Sequence, residues 1–238
     1  MSSKRAASIF ATCFLSLALV GLVWISSSVA SEYLEEFDNE LDPGLWEIKA
    51  EGEASYKIEN GQLTMTSPGV PDGILLYWKG SDIESEDFTV EIKAKVAPNT
   101  NNAGVIAFIR KELPPTLNTT INAEWKNMFW CGTNTPGWYI NDDDWKRAGP
   151  QGPEFEGIWK AEIKGDKINC YFNDEEVVTI DKIPESRFLC FGPDTYTSHY
   201  LGEMTIDWIR LSGTSVPAAA VGPSEKISTA WGAVKNRF

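Results

Sequence analysis

Residues 88–96 read Phe88-Thr89-Val90-Glu91-Ile92-Lys93-Ala94-Lys95-Val96, apolar at every even position and polar at every odd one. Side chains alternate between the two faces of a strand, so this spacing predicts one dry face and one wet face. Trp159-Lys160-Ala161-Glu162-Ile163-Lys164 has the same pattern. After Gly165-Asp166 it resumes, with Ile168, Cys170 and Phe172 set between Lys167, Asn169 and Tyr171. Asn173-Asp174 then leads into Glu175-Glu176-Val177-Val178-Thr179-Ile180. Two tight turns between three alternating runs predict a three-stranded meander. Earlier, Ser55-Tyr56-Lys57-Ile58-Glu59 and Gln62-Leu63-Thr64-Met65-Thr66 flank Asn60-Gly61, the dipeptide best suited to a two-residue hairpin. Further strands are expected over residues 73–78, 104–110, 126–132 and 187–192. The last, over residues 204–211, changes phase near Trp208, which predicts a bulge. Helical periodicity is nearly absent. Many short strands with regular turns predict an all-β, antiparallel two-sheet jelly-roll sandwich.

The first thirty residues have a different texture. Lys4 and Arg5 precede a mainly apolar run over residues 9–25, and Ser28-Val29-Ala30 ends it with a small-x-small pattern. This is the order of a secretory signal peptide, and cleavage is expected after Ala30. The alternative is a membrane anchor at the short end for a bilayer span. Residues 31–213 then form the sandwich. Residues 214–238 begin rich in Ala, Pro, Gly and Ser and end with Trp231, Lys226, Lys235 and Arg237, as a linker and short tail.

Charge narrows the partners. The whole chain carries −13, and the leader holds two basic residues and no acidic one, so residues 31–238 carry −15. That field disfavours nucleic acid and anionic lipid; it leaves uncharged sugars and cations. The expected location is secreted, periplasmic or extracellular, with no membrane partner after cleavage. Cys131, Cys170 and Cys190 remain after Ala30. An odd count excludes full pairing within one chain. A bridge between Cys170 and Cys190 and two buried free thiols both remain open. There is no CxxC, and His199 is the only histidine.

The order of several segments resembles the concanavalin A-like lectin/glucanase superfamily. Phe37-Asp38-Asn39-Glu40-Leu41-Asp42-Pro43-Gly44-Leu45-Trp46 looks like the opening strand of its laminarinase-like members. Tyr56-Lys57-Ile58-Glu59-Asn60-Gly61-Gln62-Leu63 looks like their first hairpin. Ala103-Gly104-Val105-Ile106-Ala107-Phe108 is similar to a strand shared with 3-keto-disaccharide hydrolase-like domains. Residues 159–180 resemble their meander, and Ile206-Asp207-Trp208-Ile209-Arg210-Leu211 resembles their closing strand. The resemblance implies a jelly roll whose concave sheet often presents a ligand groove.

Retaining glucanases of this superfamily place carboxylates in the order E-x-D-x-x-E on one mid-chain strand, because the chemistry needs two carboxyls about 5–5.5 Å apart. The middle strands here lack that motif. Glu36, Asp38 and Glu40 imitate it only in the opening segment, where a solvated edge is the simpler reading. The expected protein is therefore a binding module rather than an enzyme. A glycoside-acting hydrolase of the 3-keto-disaccharide type is the alternative, with Glu124, Asp142 and Asp144 its first candidate acids. A structural or adhesive extracellular module is the other.

Aromatic and amide residues crowd residues 125–145. Flat rings suit the C–H faces of sugars, and amides and acids suit their hydroxyls. Trp138, Tyr139 and Trp145 are the expected stacking residues, with Asn141 and Trp125 beside them, against the simpler reading that half these rings fill the core. The expected partner is a glycan or polysaccharide. No cofactor is required, although Asp142 and Asp144 are candidate calcium ligands. Consecutive acids cannot all point at one ion, so solvated turn charges are the plainer reading of Asp142-Asp143-Asp144.

Overall fold

The structure is a computed structural model. It describes residues 31–38, 40–68, 73–80, 87–97, 103–109, 128–132, 138–141, 155–181, 188–193, 202–214 and 216. For residues 103–109, 128–132 and 138–141, and at positions 155, 178 and 188, it describes backbone only.

Among the described residues, fourteen strands are arranged in two antiparallel sheets. They are β1 (Ser31–Glu35), β2 (Trp46–Ala50), β3 (Ser55–Glu59), β4 (Gln62–Ser67), β5 (Ile74–Trp78), β6 (Asp87–Val96) and β7 (Ala103–Ile109), followed by β8 (Met128–Gly132), β9 (Trp138–Asn141), β10 (Phe155–Lys164), β11 (Lys167–Phe172), β12 (Glu175–Ile180), β13 (Phe188–Pro193) and β14 (Gly202–Gly213). The larger, 8-stranded sheet runs β12-β11-β10-β6-β14-β4-β3, with β1 also on β14. The smaller, 6-stranded sheet runs β2-β5-β13-β7-β8-β9. This is the expected jelly-roll sandwich.

The alternating runs explain the larger sheet. Phe88, Val90, Ile92, Ala94 and Val96 on β6 are all buried in the core cluster. Trp159, Ala161 and Ile163 on β10 and Met204, Ile206, Ile209 and Leu211 on β14 join them. The phase change is a bulge: pairing with β6 shifts between Ile206 and Trp208, which leaves Asp207 and Trp208 both outside the core. That shift lets two strands share one side of β14, β4 along its first half and β1 along its second. At the Asn60-Gly61 turn φ is 56° and 72°, and at Asn173-Asp174 it is 50° and 65°. Those positive values match the twist of a hairpin and explain the residue types.

Between the sheets, Tyr33 of β1 meets Trp46 and Trp78 of the smaller sheet at ring centroid distances of 6.2 and 5.2 Å. The Tyr33 hydroxyl donates to Glu35 Oε2 at 2.6 Å and accepts from Trp46 Nε1 at 2.9 Å. Its phenol is held well above the ordinary tyrosine range, first by burial and then by the bond to Glu35.

Two expectations change. The opening strand is β1, residues 31–35, whereas residues 37, 38 and 40–45 lie outside any strand. Phe37 is the reason, since its backbone is left-handed at φ 54° while its ring is buried. Glu36, Asp38 and Glu40 therefore follow the strand and do not form one of its faces. The open question about cysteines also closes. Cys170 and Cys190 are both buried, and neither is in a disulfide. Cys170 belongs to the core, on β11 of the larger sheet, whereas Cys190 is on β13 of the smaller sheet and outside the core cluster. The core itself extends past β14 to Val216.

Candidate functional site

The two sheets differ in chemistry. Every strand of the larger sheet except β4 carries charged residues, and on its outer face these partner one another. Lys93 pairs with Asp207, Lys95 with Glu156, Lys164 with Glu162, and Arg210 with both Glu91 and Glu32. The hydrogen bond to Asp207 holds the Lys93 ammonium above its ordinary range. Lys160 Nζ sits 4.2 Å from the Tyr171 ring centroid. This is a solvated face with its charges largely satisfied among themselves.

The smaller sheet is the opposite. None of the residues in β5, β7, β8, β9 and β13 is charged; only β2 carries Glu47 and Lys49. Strands buried on one face alternate apolar with polar, whereas strands covered on both faces read as nearly continuous apolar runs. Ile74-Leu75-Leu76-Tyr77-Trp78 is such a run, and all five residues are buried.

Strand register assigns the faces, because directly paired residues share one side. Leu189 is in the core cluster and pairs with Phe108, which pairs with Phe129, which pairs with Ile140. That row lies on the core face. The adjacent row runs Glu47, Tyr77, Cys190, Ala107, Trp130 and Tyr139, across β2, β5, β13, β7, β8 and β9. It lies on the outer face, where Glu47 is exposed. Asn141 pairs with Met128, two residues from Tyr139 and Trp130, and so shares the outer face. Trp138 pairs with Cys131 and falls on the core face.

Of the residues expected from sequence, Tyr139 and Asn141 therefore share a face with Trp130, and Trp138 does not. Trp125, Trp145, Glu124, Asp142, Asp144 and His199 lie outside the described residues. Sequence reasoning passed over Trp130 and the contrast between the sheets. The signal was present as the lack of Lys, Arg, Asp and Glu in the apolar runs.

On β5 and β13 the residues of this outer face are buried. Leu75, Tyr77 and Cys190 stand outside the core cluster, yet they are 5%, 7% and 1% exposed. Gly192 contributes to the tight fit, since a Cβ there would lie 2.5 Å from the Ile74 carbonyl oxygen and 2.8 Å from Leu75 Cδ2. Among the described residues no group of three or more His, Cys, Asp or Glu side chains is placed to hold a metal ion.

No protein-family model matches the chain. No curated protein matches it either. Solved structures do. An endo-β-galactosidase from Clostridium perfringens, described as releasing GlcNAcα1-4Gal, is 15% identical over 76% of this chain and 62% of its own, with a TM-score of 0.51. The acidic lectin of winged bean, solved with methyl-α-D-galactose, is 12% identical over 78% of this chain and 99% of its own, with a TM-score of 0.50. These likenesses show the fold alone, a two-sheet antiparallel jelly-roll sandwich. One of the two is an enzyme and the other a lectin, so the fold does not select a function.

Proposed function

We propose that this protein is an exported, non-catalytic carbohydrate-binding module, and that its ligand lies on the outer face of the smaller sheet. One observation carries the reading. In a strongly acidic protein, β5, β7, β8, β9 and β13 are free of charge and present apolar or aromatic residues to both faces. A face of that kind suits contact with something other than water. Trp130 and Tyr139 share a row on it and Asn141 stands beside them, which combines ring surfaces with an amide. Lectins and glycan-acting enzymes both use this fold, which makes a sugar the natural occupant. Retaining hydrolysis needs a carboxylate pair, and none of β5, β7, β8, β9 and β13 carries a carboxylate. Export rests on the leader pattern of residues 1–30, with Ser31 as the first residue of the mature chain and of β1.

The test is a glycan array on the mature protein, with each positive glycan then incubated and checked for cleavage products. The reading expects binding without products. Products from the bound glycan would make the protein an enzyme, and an array with no positive glycan would remove the carbohydrate reading. N-terminal sequencing of the exported protein should begin at Ser31.

A further inference from the structure

The larger sheet ends on one side at β3, which among the described residues pairs only with β4. Four of its five residues are exposed. Tyr56, at 53%, is the one exposed large hydrophobic among the described residues. Tyr56 and Ile58 pair with Met65 and Leu63, both in the core, so they lie on the core side of the sheet at its rim. Their backbone groups face outward. Glu59 and Gln62 flank the two-residue turn Asn60-Gly61 and exchange hydrogen bonds across it. Glu59, Lys57 and Ser55 therefore turn their N–H and C=O groups to β4, and Ile58 and Tyr56 turn theirs to the open edge. We infer that β3 is an interaction edge for a second copy of this chain, which adds its own β3 antiparallel and continues the larger sheet from one molecule into the next.

Charge selects both the partner and the register. A two-fold axis through Ile58 sets Ile58 against Ile58 of the second copy, Lys57 against its Glu59, and Glu59 against its Lys57. Both charged pairs are opposite in sign, and both lie on the outer face, where Lys57 is level with Thr64 and Glu59 with Gln62. In the single molecule Lys57 and Glu59 reach each other at 3.3 Å with both side chains 61% exposed, so little is lost when they turn to a partner. An axis through Lys57 would set that ammonium against itself. On the core side, the favoured register brings the Tyr56 ring diagonally beside Ile58 of the second copy and takes it out of water. The other edges are less suited. β12 carries Glu175 and Glu176 and neither Lys nor Arg. β2 has the same charge symmetry about Ile48, but its Trp46 is buried and Ile48 half-buried. A two-fold axis normal to the sheets also leaves the outer faces of both smaller sheets pointing the same way.

The experiment is sedimentation velocity on the mature chain, from low micromolar to near-millimolar concentration, in moderate salt that screens its net −15. The wild type should pass from monomer to dimer over that range. Lys57→Glu and Glu59→Lys each turn both opposite pairs into like ones, so each variant alone should associate about tenfold more weakly or worse. Mixed in equal amounts, the two variants again oppose unlike charges, and the heterodimer should form within about twofold of the wild-type affinity. Both side chains are exposed, so both variants should keep the wild-type melting curve. Ile58→Pro removes an N–H that faces the open edge and not β4, and should give a folded monomer. A wild-type chain that stays monomeric throughout the range would overturn the inference. So would a dimer that Lys57→Glu and Ile58→Pro leave intact, which would place the interface elsewhere, or a mixture of the two charge variants that fails to associate. Glycan binding is a separate measurement, and none of these results alters the carbohydrate reading.

Discussion

Tyr33→Phe removes one oxygen from the bracket that joins the sheets, and its cost follows from the geometry. The hydroxyl accepts from Trp46 Nε1 at 2.9 Å, a buried bond, and donates to Glu35 Oε2 at 2.6 Å, a partly buried one. Glu35 is half-buried, so water can replace its lost donor. Trp46 is buried, and its N–H would be left without this acceptor. An orphaned buried donor costs about 1–3 kcal/mol. For a domain of this size about 2 kcal/mol corresponds to a melting temperature lower by roughly 4–8 °C. The effect should depend on pH. Burial raises the Tyr33 pKa in the folded state, so below the ordinary tyrosine value of about 10 both states are protonated and its contribution is complete. Above pH 10 the unfolded chain releases the proton and the folded one retains it, so stability falls as pH rises, by at most about 1.4 kcal/mol per unit for one group. The phenylalanine variant lacks that slope, so the two proteins should converge above pH 10. Chemical denaturation at pH 8 and at steps to pH 11 measures both effects. Equal midpoints at pH 8, or parallel decline above pH 10, would refute the bracket.

Ile92 is fully buried on β6 while Lys93 faces solvent and Asp207; Ile92→Ala should cost about 2–5 kcal/mol and Lys93→Ala less than about 1 kcal/mol, and similar urea midpoints would contradict the face assignment. Gly213 has φ 134°, and a Cβ there would lie 2.4 Å from the Asp87 carbonyl oxygen; Gly213→Ala should therefore lower stability by about 2 kcal/mol or more, and a wild-type melting curve would count against the close contact between β14 and β6. Burial raises the Cys170 thiol well above its ordinary range, so a thiol reagent should leave Cys170 and Cys190 unmodified in the native protein and label both in denaturant; peptide mass spectrometry checks this, and rapid native labelling of either would contradict their burial.

Where one face of a strand is wet, the sequence was readable. The alternation of β6, β10, β11 and β14 named their core residues, and Asn60-Gly61 and Asn173-Asp174 marked their turns. Short or edge elements were harder. β1 holds Ser31-Glu32-Tyr33-Leu34-Glu35, where Tyr33 is the one buried residue, and its neighbours offered a false extension through Phe37. β9 has only four residues and follows Pro136-Gly137, so it read as a rim. The candidate surface was half legible. Composition located the aromatic segment, but which of two adjacent rings faces outward depends on the strand pairing, which composition does not encode. Trp138 and Tyr139 looked equivalent in sequence and fall on opposite faces in the sheet.

That opposition gives the most direct test of where the ligand sits. Affinity for the best neutral glycan and unfolding free energy are measured together in Tyr139→Ala and Trp138→Leu. The account predicts that Tyr139→Ala changes stability by less than about 1 kcal/mol and weakens binding about tenfold, as expected for the loss of a stacked ring. It predicts that Trp138→Leu destabilises the fold and leaves the affinity of the folded fraction within twofold. The reverse pattern, with binding lost in folded Trp138→Leu and retained in Tyr139→Ala, would place the ligand off the outer face of the smaller sheet.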